Sequence, residues 1–425
     1  MKKNILVVCP KDRDRQELKQ FNDKYNIQFH PFDTTQFRSF IYKKKAGNAI
    51  NSANIVDDII FYIKKHNIDG ILSSDDYPGS LFASIAAQEC NLVAPTPNSI
   101  ILCQHKYLSR LMQKKYVRQA AAHAQLLEYT KAYTAQDVPP FPFFIKPIKA
   151  CHSVGAQRIG SIDELVTYLK NNNFPHEFSD PLDWAIKKYT QYNVPSHACI
   201  AEEYLDGTIQ VTIEGYAFNG QIQMRGIVDS IMYPGTISFA RFEYPSQLHD
   251  EVQKRMANIS KHFMQQIGFN NGLFNIELMY NDKTDAIHII EVNSRMASQY
   301  ADIYEKVDGT NTYEIALSIA VGKNPKVKKQ KGIYKTAASF PMRIFNDALV
   351  RSVPDNNEIQ KVKNRFEQTR ISIVAQPGQH LSDCLQDGHS YRYCMLHLGA
   401  KNHSELLLKF KTCQKMLHFK FDLIH

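Results

Sequence analysis

In the first quarter of the chain, short apolar runs typical of buried strands alternate with stretches of helical periodicity. The run from Asn4 to Cys9 is almost wholly apolar, as is typical of a strand buried in a parallel sheet. The pattern predicts further strands at 27–32 and 69–74, and helices at 12–25, 54–66 and 78–90. This strand–helix alternation predicts an open α/β domain over residues 1–94. Ligands of such sheets bind beyond the carboxyl ends of the strands, so we expect Asp75 and Asp76 near a substrate cleft.

Longer alternating stretches beyond residue 94 predict an antiparallel region. Strands are predicted near 125–129, from 143 onwards, at 199–207, 208–218, 221–232 and 236–243, with helices at 99–116, 162–171, 245–267 and 312–321. Asn219-Gly220 is a strong hairpin signal. Residues 171–197 are polar and show no regular pattern. The tail predicts a small α+β module, with strands near 334–344, 369–375 and 391–399 and a helix at 403–418.

The stretch from Gly272 to Arg295 carries the strongest chemical signal. Two apolar strands flank a polar turn, which predicts a hairpin. Glu291 and Asn293 lie two residues apart on the second strand and therefore share a face, and pairing brings Glu277 of the first strand opposite them. Two carboxylates and an amide oxygen form a site suited to Mg²⁺ that carries phosphates. Arg295 would reach the same side and could hold a phosphate or a developing negative charge.

The composition is that of an ordinary globular protein, with 425 residues, 44% hydrophobic and 22% charged. No apolar run is long enough to span a bilayer, and Met1 leads through two lysines into a strand, so we expect neither a membrane segment nor a signal peptide. The eight cysteines are scattered without a CxxC pair, which favours reduced thiols in a cytoplasmic protein. The net charge of +9 is also spread out, which favours solvated loops over a nucleic-acid-binding stripe and suits an anionic small substrate.

A second chemical signal is the strand that begins at Phe143, carries Lys146 and leads into a loop that ends at Gly155. Loops of this kind bind phosphates through backbone N–H groups and a lysine. The loop contains few glycines and lacks the GxxxxGK[ST] pattern, so it is not a Walker A loop.

Six motifs occur in a fixed order: Lys106, IKP at 145–147, SVG at 153–155, EEYLDG at 202–207, NIE at 275–277 and EVNSR at 291–295. On these motifs, the chain resembles the ATP-grasp superfamily over residues 1–325. The resemblance implies α/β and α+β folding: an N-terminal open α/β domain (1–94), a two-lobed ATP-grasp core for nucleotide binding and catalysis (95–325), and a small C-terminal α+β module (326–425). That module loosely resembles the one in amino acid ligases related to carnosine synthase.

The resemblance also implies a nucleotide site. Lys106 and Lys146 match the phosphate-binding lysines, and residues 149–155 match the phosphate-covering loop, including His152, Ser153, Val154 and Gly155. Glu202 matches the acid that accepts from the adenine amino group, Glu203 and Leu205 match the hinge backbone, and Gln210 falls near the ribose contact.

The metal and catalytic positions follow from the same resemblance. Glu277, Glu291 and Asn293 match the magnesium ligands, and Arg295 matches the arginine that steadies the acyl-phosphate or its transition state. The sequence departs from the family pattern at Gln104-His105, where many members have an acid, at Ser294 in place of proline, and at Cys151-His152 in place of loop glycines.

The implied activity is ATP-dependent formation of an amide from a carboxylate and an amine through an acyl-phosphate, with release of ADP and phosphate. ATP and Mg²⁺ are the expected cofactors, and Mn²⁺ is expected to substitute. The expected partners are small-molecule carboxylates and amines, without nucleic acid or membrane, and a homodimer is left open. A carboxylase, a phosphoribosyl-type enzyme and an ATP-binding regulatory protein without turnover are alternatives. Arg225, Arg241 and Tyr304 are further candidates for substrate contact.

Overall fold

Four β-sheets and the helices around them make up the part of the chain that our computed structural model describes, residues 1–32, 34, 51–150, 154–172, 174–205, 209–384 and 390–423. This architecture confirms the predicted α/β and α+β class. None of the helices in these ranges is both long enough and apolar enough to cross a membrane.

The strands are β1 (Lys3–Val7), β2 (Tyr25–Phe29), β3 (Gly70–Leu72), β4 (Ala124–Leu127), β5 (Phe143–Pro147), β6 (Gln157–Ile159), β7 (Cys199–Glu203), β8 (Ile209–Phe218), β9 (Gln221–Met232), β10 (Phe239–Tyr244), β11 (Gly272–Asn281), β12 (Ala286–Asn293), β13 (Thr336–Ile344), β14 (Ala348–Ser352), β15 (Arg370–Ile373), β16 (Tyr391–Ala400) and β17 (Lys420–Leu423). The described α-helices are α1 (Asp12–Leu18), α2 (Ser52–Lys65), α3 (Gly79–Glu89), α4 (Pro97–Gln104), α5 (Lys106–Tyr116), α6 (Ile162–Asn171), α7 (Asp180–Tyr189), α8 (Asp250–Gln266), α9 (Ala301–Asp308), α10 (Thr312–Ala320), α11 (Asn356–Arg365) and α12 (His403–Met416).

The N-terminal sheet is parallel, with strand order β2-β1-β3. Leu6 and Val7 of β1 are fully buried, as a continuous apolar run at the centre of a parallel sheet requires. Helix α10 packs so closely beside β3 that a Cβ at Gly70 would lie 2.5 Å from the carbonyl oxygen of Ala320. The glycine therefore permits the approach that joins this sheet to the rest of the molecule.

A second, antiparallel sheet has the order β4-β7-β5-β6 and places two chemically important strands side by side. Phe144 of β5 pairs with Glu202 of β7, and Lys146 pairs with Ile200. Because alternate residues of a strand share a face, Lys146 and Glu202 project from the same side of this sheet. The opposite face packs on α6 through a core that includes Phe143, Ile145 and Leu165.

The largest sheet has eight strands in the order β12-β11-β8-β9-β10-β13-β16-β15. The predicted hairpin of β11 and β12 is confirmed, and it lies at one edge of this sheet. Strand β13 pairs antiparallel with β10, so the predicted C-terminal strands continue the sheet of the central region instead of building one of their own. The boundaries near residues 94 and 325 stay predictions.

Three sequence predictions are wrong in detail. The helix expected over 99–116 is two helices, because His105 is extended and caps α5, its Nδ1 accepting from the N–H of Leu108 at 3.2 Å. Residues 171–197 contain α7, which the sequence did not predict. Its buried Leu182, Ala185 and Ile186 form an apolar stripe that is too short to produce a clear helical period in a polar region. Helices α9 and α11 and strands β14 and β17 were also not expected, since short elements carry weak local signals.

Arg370 of β15 links three parts of the chain through a cluster of charges. Its guanidinium pairs with Glu17 of α1, with Asp302 of α9 at 2.6 Å and with Glu305 at 3.5 Å. Asp302 also pairs with Lys306 at 2.7 Å, so its carboxylate receives more than one cation. The side chains of Glu17 and Asp302 are only 8% and 4% exposed. These acids therefore depend on Arg370 to offset the cost of their burial.

We expect Arg370→Ala to lower the free energy of unfolding by about 1–3 kcal/mol. Breaking a buried ion pair costs more, but Arg370 itself is partly exposed and therefore screened. Chemical denaturation measures the change. Arg351→Ala is the matched control, because Arg351 pairs with Asp422 at the exposed surface of the same C-terminal region, and its loss should cost under about 0.5 kcal/mol. Equal effects of the two variants would contradict the bridging role.

Candidate functional site

The β11–β12 hairpin brings the predicted metal-binding residues together. Its register places Glu277 opposite Glu291, and Asn275 opposite Asn293. The register shifts after Glu277, where the carbonyl oxygen of Ile290 turns away from the ladder. That oxygen accepts from Arg110 Nη2 at 2.6 Å and from Lys146 Nζ at 3.4 Å. The irregularity thus docks the hairpin onto cations from α5 and β5. We call Glu277, Glu291 and Asn293 the acid face.

The two carboxylates of the acid face differ in charge because their surroundings differ. Burial, and then the charge of Glu291, raise the pKa of Glu277 to about 7. Burial also acts on Glu291, but Lys106, Lys149 and Lys146 outweigh it and lower the pKa of this carboxyl. Lys106 Nζ lies 3.0 Å from Glu291 Oε1. One carboxylate is therefore held ionised, and its partner is poised near neutral pH.

The amide of Asn293 is oriented by a neighbour that sequence analysis missed. Asn293 Nδ2 donates to Asn275 Oδ1 at 3.1 Å, and Asn275 Nδ2 donates to the carbonyl oxygen of Arg295 at 2.9 Å. With Nδ2 engaged by Asn275, Asn293 Oδ1 is left 3.5 Å from Arg295 Nη2. The NIE motif contains Asn275, so alternation along the strand could have marked it as a residue on this face.

Glu202 lies in a buried cluster of charges and contacts residues of helix α5 and strand β5. Its Oε1 is 2.6 Å from Arg110 Nε and its Oε2 is 2.7 Å from Lys146 Nζ. Burial opposes ionisation of Glu202, but the two cations outweigh it and lower the pKa of the carboxyl. Burial also lowers the pKa of Lys146, against the pull of Glu202. Arg110 was missed, although it lies one helical turn after Lys106 and therefore on the same face of α5.

His105 sets where α5 begins and so aims Lys106 at the acid face. Its Nε2 donates to the carbonyl oxygen of Pro195 (3.3 Å), while Nδ1 caps the helix. Burial lowers the pKa of His105 to about 4, so the ring is neutral and can accept at Nδ1. The departure from an acid at this position thus has a structural reason.

Comparison with known proteins identifies the framework that carries these residues. Residues 139–302 match the ATP-grasp domain family. The match assigns an ATP-grasp domain to this part of the chain. This stretch contains Lys146, Glu202, Glu277 and Glu291, whereas Lys106 precedes it.

Solved structures share the fold over nearly the whole chain. The L-amino acid ligase of Bacillus licheniformis is 14% identical, with 99% of each chain covered and a TM-score of 0.73. Phosphoribosylglycinamide synthetase of Anaerococcus prevotii is 13% identical, with 99% and 100% covered and a TM-score of 0.68. The biotin carboxylase domain of the Hydrogenobacter thermophilus 2-oxoglutarate carboxylase is 12% identical, with 99% and 91% covered and a TM-score of 0.68; that structure contains MgADP, ADP and bicarbonate.

Among curated proteins, the large chain of carbamoyl phosphate synthase from Helicobacter pylori is 20% identical over 287 residues, which is 64% of this chain. The same protein from Buchnera aphidicola is 20% identical over 238 residues, 55% of this chain. The matched stretches span only a quarter or less of those relatives, 25% and 20% of their lengths.

The loop of the ATP-grasp domain that resembles a phosphate cover is described only in part. His152 and Ser153 lie outside the described residues, as do Asp206 and Gly207 of the EEYLDG motif. Val154 and Gly155 are described. Tyr168 donates to the carbonyl oxygen of Gly155 at 2.6 Å, and Gly155 has a positive φ of 71° against the ring of Phe174. A side chain at position 155 would be both strained and crowded.

The remaining predicted nucleotide contacts differ in their surroundings. Glu203 is exposed, and its Oε1 accepts from the N–H of His123 at 2.9 Å. Leu205 is half-buried, two residues beyond the end of β7. Gln210 donates to Glu277 Oε2 at 3.1 Å, so its side chain lies with the acid face. The nucleotide roles of these residues stay predictions.

Two of the proposed substrate residues belong to the core instead. Arg225 is 1% exposed, donates to Thr312 Oγ1 at 2.5 Å and lies 3.7 Å from Glu214. Its guanidinium stacks over the ring of Tyr304, which is fully buried. Arg241 pairs with Glu243 at 3.0 Å. The side chains of Arg225 and Tyr304 are thus engaged in packing and cannot meet a substrate without unfolding this region.

Glu277→Gln should reveal the raised pKa of Glu277 through the pH dependence of stability. An acid whose pKa is higher in the folded protein binds a proton that the unfolded chain releases, so native stability falls between pH 4.5 and about 7. In EDTA, the variant should match wild type at pH 4.5 and exceed it by up to about 3 kcal/mol at pH 8. Denaturation across this range measures the difference, and a pH-independent difference would contradict the assignment.

Proposed function

We propose that this protein is an ATP-dependent ligase that joins a carboxylate to an amine through an acyl-phosphate. The acid face carries the proposal. Glu277 and Glu291 are half-buried carboxylates directly opposite each other, and their charges repel. This repulsion is the second cause, after burial, of the raised pKa of Glu277. A bound divalent cation would relieve that repulsion. Carboxylate and amide oxygens are the ligands that Mg²⁺ prefers.

The residues present fit Mg²⁺ and a nucleoside triphosphate. Glu277, Glu291 and Asn293 would hold Mg²⁺, which when bound neutralises phosphate charge. Lys106, Lys146 and Lys149 all act on the charge of Glu291, so they surround the same space and would receive the phosphates. We call these three lysines together with Arg295 the cation cluster. Glu202 and the backbone after it would meet the adenine.

The chemistry needs positioning and charge neutralisation more than covalent help from the protein. A carboxylate oxygen of the first substrate attacks the γ-phosphorus, the bond to the β-phosphate oxygen breaks, and ADP leaves. The nitrogen of the second substrate then attacks the acyl carbon, phosphate leaves and the amine loses a proton. Arg295 lies beside Asn293, where its fork can hold two oxygens of the carboxylate and then of the acyl-phosphate.

A screen for phosphate release tests this function. MgATP is incubated with amino acids singly and in pairs, and with bicarbonate alone. If the protein is a ligase, phosphate release should require both a carboxylate and an amine, and the product should have the sum of their masses minus one water. Release with bicarbonate alone would indicate a carboxylase instead. Nucleotide binding without any release would favour the regulatory alternative.

Arg295→Lys separates catalysis from nucleotide binding. Lysine keeps the charge but loses the two-pronged geometry, so we expect kcat to fall by roughly 10²-fold while ATP affinity stays within about threefold. Turnover in the phosphate assay and a binding titration measure both quantities. Arg255→Lys is the matched control, since Arg255 grips Asp285 at 2.6 Å at the far end of the same hairpin and should leave kcat unchanged. An Arg295→Lys protein with a lowered melting temperature and normal kcat would show a structural role only.

A further inference from the structure

Asp76, at the carboxyl end of β3, reaches across from the N-terminal domain into the cation cluster. Its Oδ2 pairs with Lys149, the first residue of the covering loop, and its Oδ1 lies 3.5 Å from Arg295 Nε. The backbone of Asp76 is fixed, because its carbonyl oxygen accepts from Gln104 Nε2 and from Ser80 Oγ, each at 2.6 Å. Only the side chain is free to change partners.

Each cation of the cluster is paired with a carboxylate of the protein in this state. Lys106 pairs with Glu291 and Lys146 with Glu202, the acids assigned above to metal and adenine. Lys149 and Arg295 share Asp76, which has no such assignment. Arg295 is the residue proposed to hold the reacting carboxylate. A carboxylate from the other domain therefore already lies in the place where an oxyanion of the reactants would bind.

The contact with Arg295 is loose. Asp76 Oδ1 is buried but accepts no hydrogen bond from the described residues, and 3.5 Å is long for a charge-assisted bond. Lys149, by contrast, is buried and also lies 5.6 Å from the centre of the Tyr77 ring, so it is held at the base of the loop. Exchange of Asp76 for an incoming oxyanion would cost little on the arginine side and would free the lysine at the start of the loop.

We propose that Asp76 is a built-in substitute for an oxyanion of the reactants: it neutralises Lys149 and Arg295 in the empty enzyme and is displaced when the γ-phosphate or the substrate carboxylate binds. This inference rests on the proposed function, which assigns the cation cluster to those reactants. Binding then carries the cost of displacing Asp76, which lowers the apparent affinity for the reactant that displaces it. In return, buried Lys149 and half-buried Arg295 keep a carboxylate partner while the site is empty.

Asp76→Asn removes the competing charge while keeping the shape. We expect the empty variant to melt at a lower temperature than wild type, and to bind the non-hydrolysable analogue AMP-PNP with Mg²⁺ about tenfold more tightly. MgADP lacks the γ-phosphate, so its affinity should stay within about twofold. Calorimetric titration measures both. Asp69→Asn is the matched control, because Asp69 precedes β3 and pairs with Lys3 at 2.7 Å at the opposite end of that strand.

The outcomes separate the two sources of the oxyanion. Tighter AMP-PNP with unchanged ADP identifies the γ-phosphate. Unchanged nucleotide binding, with a roughly tenfold fall in the half-saturating concentration of a carboxylate found by the phosphate screen, identifies the carboxylate. A folded Asp76→Asn protein showing neither change, or weaker AMP-PNP binding, overturns the proposal and leaves Asp76 as a fixed support for Arg295.

Two further provisions keep the test decisive. Asp76→Ser removes the same charge with a smaller side chain and replaces the Asn variant if that variant does not fold. Nucleotide binding needs no known substrate, so the nucleotide arm decides alone where the screen finds no carboxylate. A failed screen then bears on the ligase function, and a failed titration bears on Asp76.

Discussion

The site depends on the pairing of two carboxylates across one hairpin. Glu277 and Glu291 lie opposite each other at the edge of the largest sheet, where like charges oppose the cross-strand pairing that positions them. The fold retains this arrangement because cations converge on it from elsewhere: Lys106 from a helix and Lys146 from a different sheet. A structure built for stability alone would replace such a pair, and so its presence points to a ligand that removes the repulsion.

The elements that supply the cations are held by equally specific contacts. The neutral ring of His105 starts the helix that carries Lys106 and Arg110, and the carbonyl oxygen at Ile290 gives Arg110 and Lys146 a common acceptor on the hairpin. Glu202 then balances those two cations. Each of these cations is therefore paired with an acceptor of the protein before any ligand binds, and an anionic ligand must exchange with existing partners. Such pairing preserves the geometry of the site in the absence of a ligand.

The N-terminal sheet and the C-terminal strands also contribute charges next to the site. Asp76, which follows β3, brings a carboxylate to Arg295. Arg370 connects β15 to α1 and to α9, the helix that follows the segment after Arg295. Buried Glu214 accepts from the N–H of Ala297 in that segment at 3.1 Å. The segment is thus fixed from three directions. Loosening the C-terminal region should consequently disturb the position of Arg295 as well as overall stability.

The sequence by itself determined the hairpin, the face shared by Glu291 and Asn293, and the place of Lys146 on its strand, because strand alternation and motif order are local properties. Tertiary structure alone decided which cation meets which acid. Arg110 reaches Glu202 from 92 positions earlier and Asp76 reaches Arg295 across 219, distances over which no periodicity carries information. It also decided that Arg225 and Tyr304 are buried and that α7 forms, since burial depends on what packs above a segment. The raised pKa of Glu277 belongs to the same class: it arises from desolvation and from a neighbour on another strand, which only the folded chain brings together.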